Sequence, residues 1–284
     1  NGVHLQSIAG TWQGKALSFS AGLTNQSFGG WQGSSTGRNK EWLPKTQTLA
    51  NAKVGYRLKS AEFYYRLDGL DEDIVNLGTV NINTNQARDQ RFLTTRLMHQ
   101  FQGNWQASAK LTVNFLAAYT DYQRKTQTSI LDLNTGKRTL SLGAGEQDIS
   151  KFNNAMTRAT AYYRWSKLLN IQAGFEINAD RASGARIEGS PSITDYAVFL
   201  APEINLDSIV LIRPGFRLIK NSVYAAPPLI PALNVKVKLS SHWDWRMAYA
   251  QGFRAPALRE LYFNFFDASH SIKGNPNLKA ENSD

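Results

Sequence analysis

The sequence predicts an all-β fold, an antiparallel up-and-down transmembrane β-barrel, on three observations. Apolar and polar residues alternate with a period of two along most of the chain, short and long connections alternate strictly, and the tryptophans gather beside the short connections.

The alternation is clearest in residues 169–180, where Leu169, Ile171, Ala173, Phe175, Ile177 and Ala179 oppose Asn170, Gln172, Gly174, Glu176, Asn178 and Asp180. Such a split makes a strand with one greasy face. It recurs in residues 50–59, 62–68, 111–119, 233–239 and 243–249, and twelve such segments can be counted, twelve or thirteen with the last residues. Residues 92–105 are less regular, with Met98 and His99 out of phase. Tight turns are expected near residues 14–15, 59–60, 107–108, 166–168, 207–208 and 240–242. Long loops are expected near 30–46, 79–90, 131–150, 184–193, 222–229 and 258–275. All short turns then lie at one end of the meander and all long loops at the other, an order a soluble sandwich would not keep.

Trp12, Trp105, Trp165, Trp243 and Trp245, with Tyr56, Phe63, Tyr65 and Tyr163, fall within a few residues of the short turns. Amphipathic rings at that level form the girdle of a membrane barrel; the alternative is that they close one end of a sandwich core. The opposite phase of the strands carries Lys53, Arg57, Glu62, Arg66, Glu176, Lys236 and Arg246, a face suited to a water-filled or plugged lumen. Phe63, Tyr65, Phe115, Phe175, Val235 and Trp245 are expected on the outward face.

Composition narrows the function. The 284 residues include no cysteine, so disulfides and thiolate metal sites are excluded. No window approaches eighteen consecutive apolar residues, which excludes helical spans. The net charge of +10 comes from singly scattered Lys and Arg, with no cluster of the kind that nucleic-acid binding needs. No Ser/His/Asp set or placed pair of carboxylates points to an enzyme, and "GAGEQD" lacks the strand-to-helix context of a phosphate loop. Asp68, Asp71, Glu72 and Asp73 gather oxygens without an EF-type spacing, so Ca²⁺ binding is the lesser reading beside solvated charge. "DLNTGKR" reads as a hairpin tip.

Two stretches carry a family resemblance. "GFRAPALRELY" (252–262), with Phe253, Arg254, Ala255 and Pro256, and "GNPNLKAENS" (274–283), with Asn275, Pro276, Asn277 and Leu278, resemble the paired FRAP and NPNL boxes of TonB-dependent outer-membrane receptors. "AEFYYRLDGLDEDIVNLG" and "TLSLGAGEQD" resemble receptors of the Bacteroidetes lineage. The resemblance covers the chain from about residue 40. It implies an arc of 12–13 strands from a 22-stranded barrel, residues 1–284 being a partial barrel domain whose N-terminal plug and remaining strands lie elsewhere. It also implies a Gram-negative outer-membrane location, TonB-coupled import of a scarce nutrient, foremost haem or a ferric siderophore, and as partners the TonB complex, the bilayer and a surface lipoprotein. Cobalamin or glycan uptake, or a passive porin or surface-binding barrel, are the alternatives.

The same resemblance points to ligand residues. Haem receptors of this family carry a histidine between the two boxes, and here that position is His270, with Phe265 and Phe266 nearby to face a ring; the alternative is an exposed loop histidine. Arg254 is expected at the vestibule, facing plug or ligand carboxylates or else pairing with a neighbouring strand's acid. Pro256 lacks a ladder donor, so the strand should stop or bulge before it.

Overall fold

The structure, a computed structural model, describes residues 2–33, 37–143, 145–266 and 271–283. It opens with β1 (Val3–Gln13), β2 (Leu17–Phe28), β3 (Lys45–Arg57), β4 (Ala61–Asn76), the two-residue β5 (Val80–Asn81), β6 (Gln86–Gln106) and β7 (Leu111–Asp132). The short β8 (Arg138–Leu140) precedes β9 (Gln147–Arg164), β10 (Leu169–Ser183), β11 (Ser192–Leu206), β12 (Val210–Asn221), β13 (Leu229–Lys238) and β14 (Asp244–Ala250). Beyond these come β15 (Gly252–Arg254), α1 (Leu258–Tyr262), β16 (Asn264–Phe266), β17 (Ser271–Lys273) and β18 (Glu281–Ser283).

Twelve long strands pair antiparallel in sequence order from β1 to β14, with β5 and β8 as short additions beside β6 and β7. The twelve segments read from the alternation are these twelve strands. Their short turns are closed locally. Gly14 N–H donates to Leu17 O at 2.8 Å, and the Ser108 and Ser166 hydroxyls accept from backbone N–H groups two and three residues on. Asp207 and Ser208 both take positive φ, 49° and 58°, which gives the β11–β12 hairpin the twist of a primed turn.

Because the pairing runs without a slip along each neighbour pair, residues across the sheet keep one face. Trp12, near the short-turn end of β1, shares a rung through nine strand steps with Lys220, near the long-loop end of β12. That climb of most of a strand's length corresponds to a strand tilt of roughly 35–40°, the tilt of a barrel wall.

The two faces differ as the alternation predicts. Phe63, Gly103, Phe115, Ala159, Phe175, Val198 and Leu218 form one rung of the apolar face. Phe175, Val198 and Leu218 stay 41%, 52% and 50% exposed, so this face covers no protein core. On β7 the apolar run passes through Val113, Phe115, Ala117 and Tyr119 and ends at Asp121, a band about 20–25 Å tall after tilting. The other face carries the ion pairs Arg57–Glu62, Glu203–Arg213, Lys236–Asp244 and Arg158–Glu176–Arg217. Glu62, Arg66, Glu176, Lys236 and Arg246 all take this polar phase, and Phe63, Tyr65, Phe115, Phe175, Val235 and Trp245 the other.

Residues 92–105 are an unbroken part of β6. His99 stands on the apolar face because tyrosines meet its polar atoms: Tyr65 Oη lies 2.5 Å from His99 Nδ1, and the Tyr119 ring is 6.5 Å away. The tightest packing is at the long-loop end, where Ala87, Ala182, Ile187, Ile193 and Leu261 are buried together with Asp89, Thr128 and Asp148. Asp89 is held there by Arg38 and Arg138 and by Gly78 N–H, which ties three connections to the tip of β6. Among the described residues no helix is long and apolar enough to cross a membrane.

Candidate functional site

The strand before the arginine-proline step leaves the main sheet early. Gln251 still donates to Pro231 O at 3.1 Å, but Gly252–Arg254 turn away and pair with Glu281–Ser283. The strand stops before the buried Pro256, as its missing donor requires. Residues 258–275 were expected to be loop alone, whereas they contain the one-turn α1. Glu260 Oε2 accepts the Ala257 N–H at 2.8 Å, half of a capping box, and this is enough to start a turn directly after a proline.

The two boxes that the sequence separates by about twenty residues form one unit. Arg254 donates to Glu281 at 3.1 Å and to Glu260 at 2.5 Å, so both carboxylates share its fork. The backbone hydrogen bond from Ala257 and then Arg254 hold the Glu260 carboxyl below its ordinary range. Gly274 N–H donates to Phe263 O and Asn275 N–H to Glu260 O, which seats the second box against α1. A Cβ on Gly274 would lie 2.6 Å from Leu261 O and 2.7 Å from Tyr262 N, so only glycine allows this approach. Asn275 Oδ1 then accepts from Asn277 N–H at 3.0 Å, turning the chain through exposed Pro276 and Leu278. Phe253 packs on Tyr224 at 6.2 Å, and the Tyr224 hydroxyl donates to Asp195; burial, and then the Asp195 charge, push that phenol well above its usual range.

From this unit the chain reaches back to the β10–β11 connection. Ile187 bridges Phe263, Glu188 N–H donates to Tyr262 O, and Asn264 N–H donates to Arg186 O. The backbone of Phe265 and Phe266 lies in β16, paired to β17, beside that connection. His270 lies outside the described residues.

The sheet contributes a patch of its own. Arg96, Tyr122 and Phe152 share a rung on the polar face, with Arg124 one step and Phe92 two steps toward the loops. The Tyr122 and Phe152 rings are 6.0 Å apart, and the Arg124 guanidinium lies 4.8 Å from the Phe92 ring. Three aromatic rings interleaved with two guanidiniums can stack on a planar anion and neutralise it. Sequence reasoning passed over these five residues. The signal was present, because Phe92, Tyr122 and Phe152 occupy the polar phase of their strands.

The acidic residues near Asp71 are each engaged separately: Asp68 with Arg66, Glu72 with Gln47 and Asp73 with Arg91. Among the described residues no three His, Asp or Glu side chains stand together as metal ligands do.

The family model "TonB dependent receptor-like, beta-barrel" matches residues 11–284. The chain belongs to this family. The match begins ahead of residue 40, where the two boxes and their neighbours had placed it, and takes in the end of β1 and all of β2 as well. Solved structures share the fold: the siderophore receptor PirA from Pseudomonas aeruginosa at 16% identity and a TM-score of 0.70, covering 99% of this chain and 47% of that one. The siderophore receptor PiuA from Acinetobacter baumannii gives 9% identity and a TM-score of 0.68, covering 99% and 51%. The hemophore receptor HasR of Serratia marcescens, solved with its hemophore HasA and heme, gives 13% and 0.69, covering 97% and 47%. A search of curated proteins found no match. The chain spans about half the length of the receptors it matches, and its meander is an arc of the outer-membrane barrel they share. In that setting the apolar band faces lipid and the polar face lines the lumen.

Proposed function

We propose that this arc belongs to an outer-membrane receptor that imports an iron complex by TonB-coupled transport, and that the ligand is a planar or aromatic anion. The observation that carries the ligand class is the lumen patch of Arg96, Arg124, Phe92, Tyr122 and Phe152 below the long loops. The anionic carboxylates or catecholates of haem and many ferric chelates suit guanidiniums, and their rings suit the aromatic faces. No covalent chemistry is required of the chain. Energy coupling is assigned to a plug domain reaching the TonB complex, and a surface lipoprotein, where one takes part, would meet the long-loop end.

On this reading the loop between the two boxes completes the site from above. His270 supplies an axial nitrogen when the ligand is haem, with Phe265 or Phe266 against the ring, and Arg254 takes part by holding the base of that loop to Glu260 and Glu281. A Bacteroidetes origin rests on residues 61–78 and 139–148 alone, whereas the receptors compared above come from Pseudomonas, Acinetobacter and Serratia.

The test is binding by the full-length receptor to haem, a ferric catecholate and cobalamin. Tight binding of either anion, lost in Arg96→Ala/Arg124→Ala, supports the reading; preference for cobalamin or no binding at all contradicts it. His270→Ala separates the ligands. It should shift the Soret band and slow growth on haem while leaving barrel assembly intact, and unchanged haem binding would remove His270 and favour a siderophore. Haem affinity should also weaken as pH falls through the imidazole's ordinary value of about 6.5, because only the unprotonated ring nitrogen coordinates iron.

A further inference from the structure

Among the described residues, the ladders of the twelve-strand wall are continuous at every seam but one. Between β11 and β12 the pairing runs as far as Leu200↔Phe216 and resumes only at Ile204↔Ile212, in the same register. Pro202 and Pro214 stand directly opposite each other in that interval. The register decides what they do there. Ser222 N–H donates to Thr194 O across the same seam, so in this antiparallel ladder the even-numbered pairs are those that exchange hydrogen bonds. Pro202 and Pro214 form such a pair, and neither has an N–H to give. Both bonds are missing, and two carbonyls are left without a ladder donor. The outer flanks are undisturbed: Pro202 stays paired with Ile171 on β10 and Pro214 with Leu233 on β13.

The gap lies where water cannot repair it. Pro202 is four residues above the β11–β12 turn and takes the outward phase, on a rung with Ile171 and Tyr163, while the rung of Pro214 continues through Leu233 to Tyr249. Lipid offers no donor to a free carbonyl. On the lumen side the seam is closed by side chains instead. Glu203 and Arg213 stand opposite each other one residue below the prolines. Arg213 Nε donates to Glu203 Oε2 at 2.5 Å, and Asn170 Nδ2 on β10 donates to Glu203 Oε1 at 3.1 Å. All three line a lumen recess of about 450 Å³, beside Tyr162 and Gln172. We infer that the β11–β12 seam is a yielding joint in the barrel wall, latched from the lumen by the Glu203–Arg213 pair. It gives the short-turn half of the wall one place to part, while unbroken ladders hold both flanks. Because Asn170 keeps Glu203 on the β10 side, parting carries Arg213 away with β12.

The test is residue-resolved amide exchange on the full-length receptor in phosphatidylcholine nanodiscs. The amides of Leu200, Ile204, Ile212 and Phe216, which bound the gap, should exchange at least about tenfold faster than those of Tyr163 and Ile171, which share the rung of Pro202 at the intact β9–β10 seam. Arg213→Gln breaks the latch and should speed the first group several-fold more, leaving the second unchanged. Pro202→Val/Pro214→Val restores both donors and should remove the excess. Ala201→Cys/Gly215→Cys sets a disulfide across the seam at a lumen-facing pair that exchanges no ladder bonds. Oxidation should slow the first group to the level of the second, and reduction should restore the parent's exchange. Equal exchange at the two seams in the parent, an excess that survives the valine pair, or faster exchange at both seams in Arg213→Gln would each overturn the proposal. If the glutamine or valine variant does not assemble, the disulfide decides, and exchange unaltered by oxidation overturns the joint equally.

Discussion

The meander and the segment after Gln251 are built on opposite principles. In the meander each residue's place follows from its neighbours: alternation fixes the face, turns fix the register, and the ladder repeats from β1 to β14. In the last stretch short pieces of three to five residues are held by particular contacts, Arg254 to Glu260 and Glu281, and Gly274 against α1. A repeated ladder tolerates many single changes and fails when a face is violated. A unit held by a few contacts fails when one of them is lost.

The largest effect should therefore come from violating a face. Ala173→Arg puts a cation near the middle of the lipid band and should cost about 2–4 kcal/mol in refolding titrations of the full-length receptor in lipid vesicles. Gln172→Arg, one residue away on the lumen side, should be nearly neutral. An equal cost at both positions would erase the distinction between faces.

Next is Gly274→Ala. Its methyl would strike the backbone of α1, and overpacking of this kind costs about 1–3 kcal/mol locally. Amide exchange should speed up in residues 252–283 while the heat-modifiable mobility of the barrel stays unchanged. Faster unfolding of the whole barrel would show that the boxes and the meander are one unit.

The smallest effect is a pH dependence. The Glu260 carboxyl is held below its ordinary range, first by the Ala257 N–H and then by Arg254, so its contribution is complete above the unfolded carboxyl's titration and is lost as pH falls through the lowered value. Protease cleavage near residue 260 should rise in acid, and Glu260→Gln should show raised cleavage already at neutral pH. A flat profile in the parent would remove the carboxylate from the hinge.

How much was legible in the sequence follows the same division. The strand number, the turn positions and the face of every charged residue tested on β4, β10, β13 and β14 were readable, because alternation is a local property. The exposed aromatic ends were readable for the same reason. His99 broke the pattern, since a tyrosine 34 residues earlier, on the neighbouring strand β4, satisfies it, and no local window contains both. The helix after Pro256 was missed because a five-residue turn with one capping carboxylate has no periodicity to detect. The two boxes were recognisable as motifs, yet their mutual contact depends on Gly274 meeting Leu261, which spacing alone does not encode. The lumen patch was hidden by reading polar-phase positions only for charge; its aromatics were the clue.

The central claim is that strand phase separates lipid from lumen throughout the arc. The chain has no cysteine, so single cysteines carrying spin labels can be walked along β9 and β10 at residues 159–162, 171–173 and 175–176 of the full-length receptor in bilayers. The account predicts oxygen accessibility high at 159, 161, 171, 173 and 175 and accessibility to a polar nickel chelate high at 160, 162, 172 and 176. Reversed phase, or no alternation between the two reagents, would contradict it.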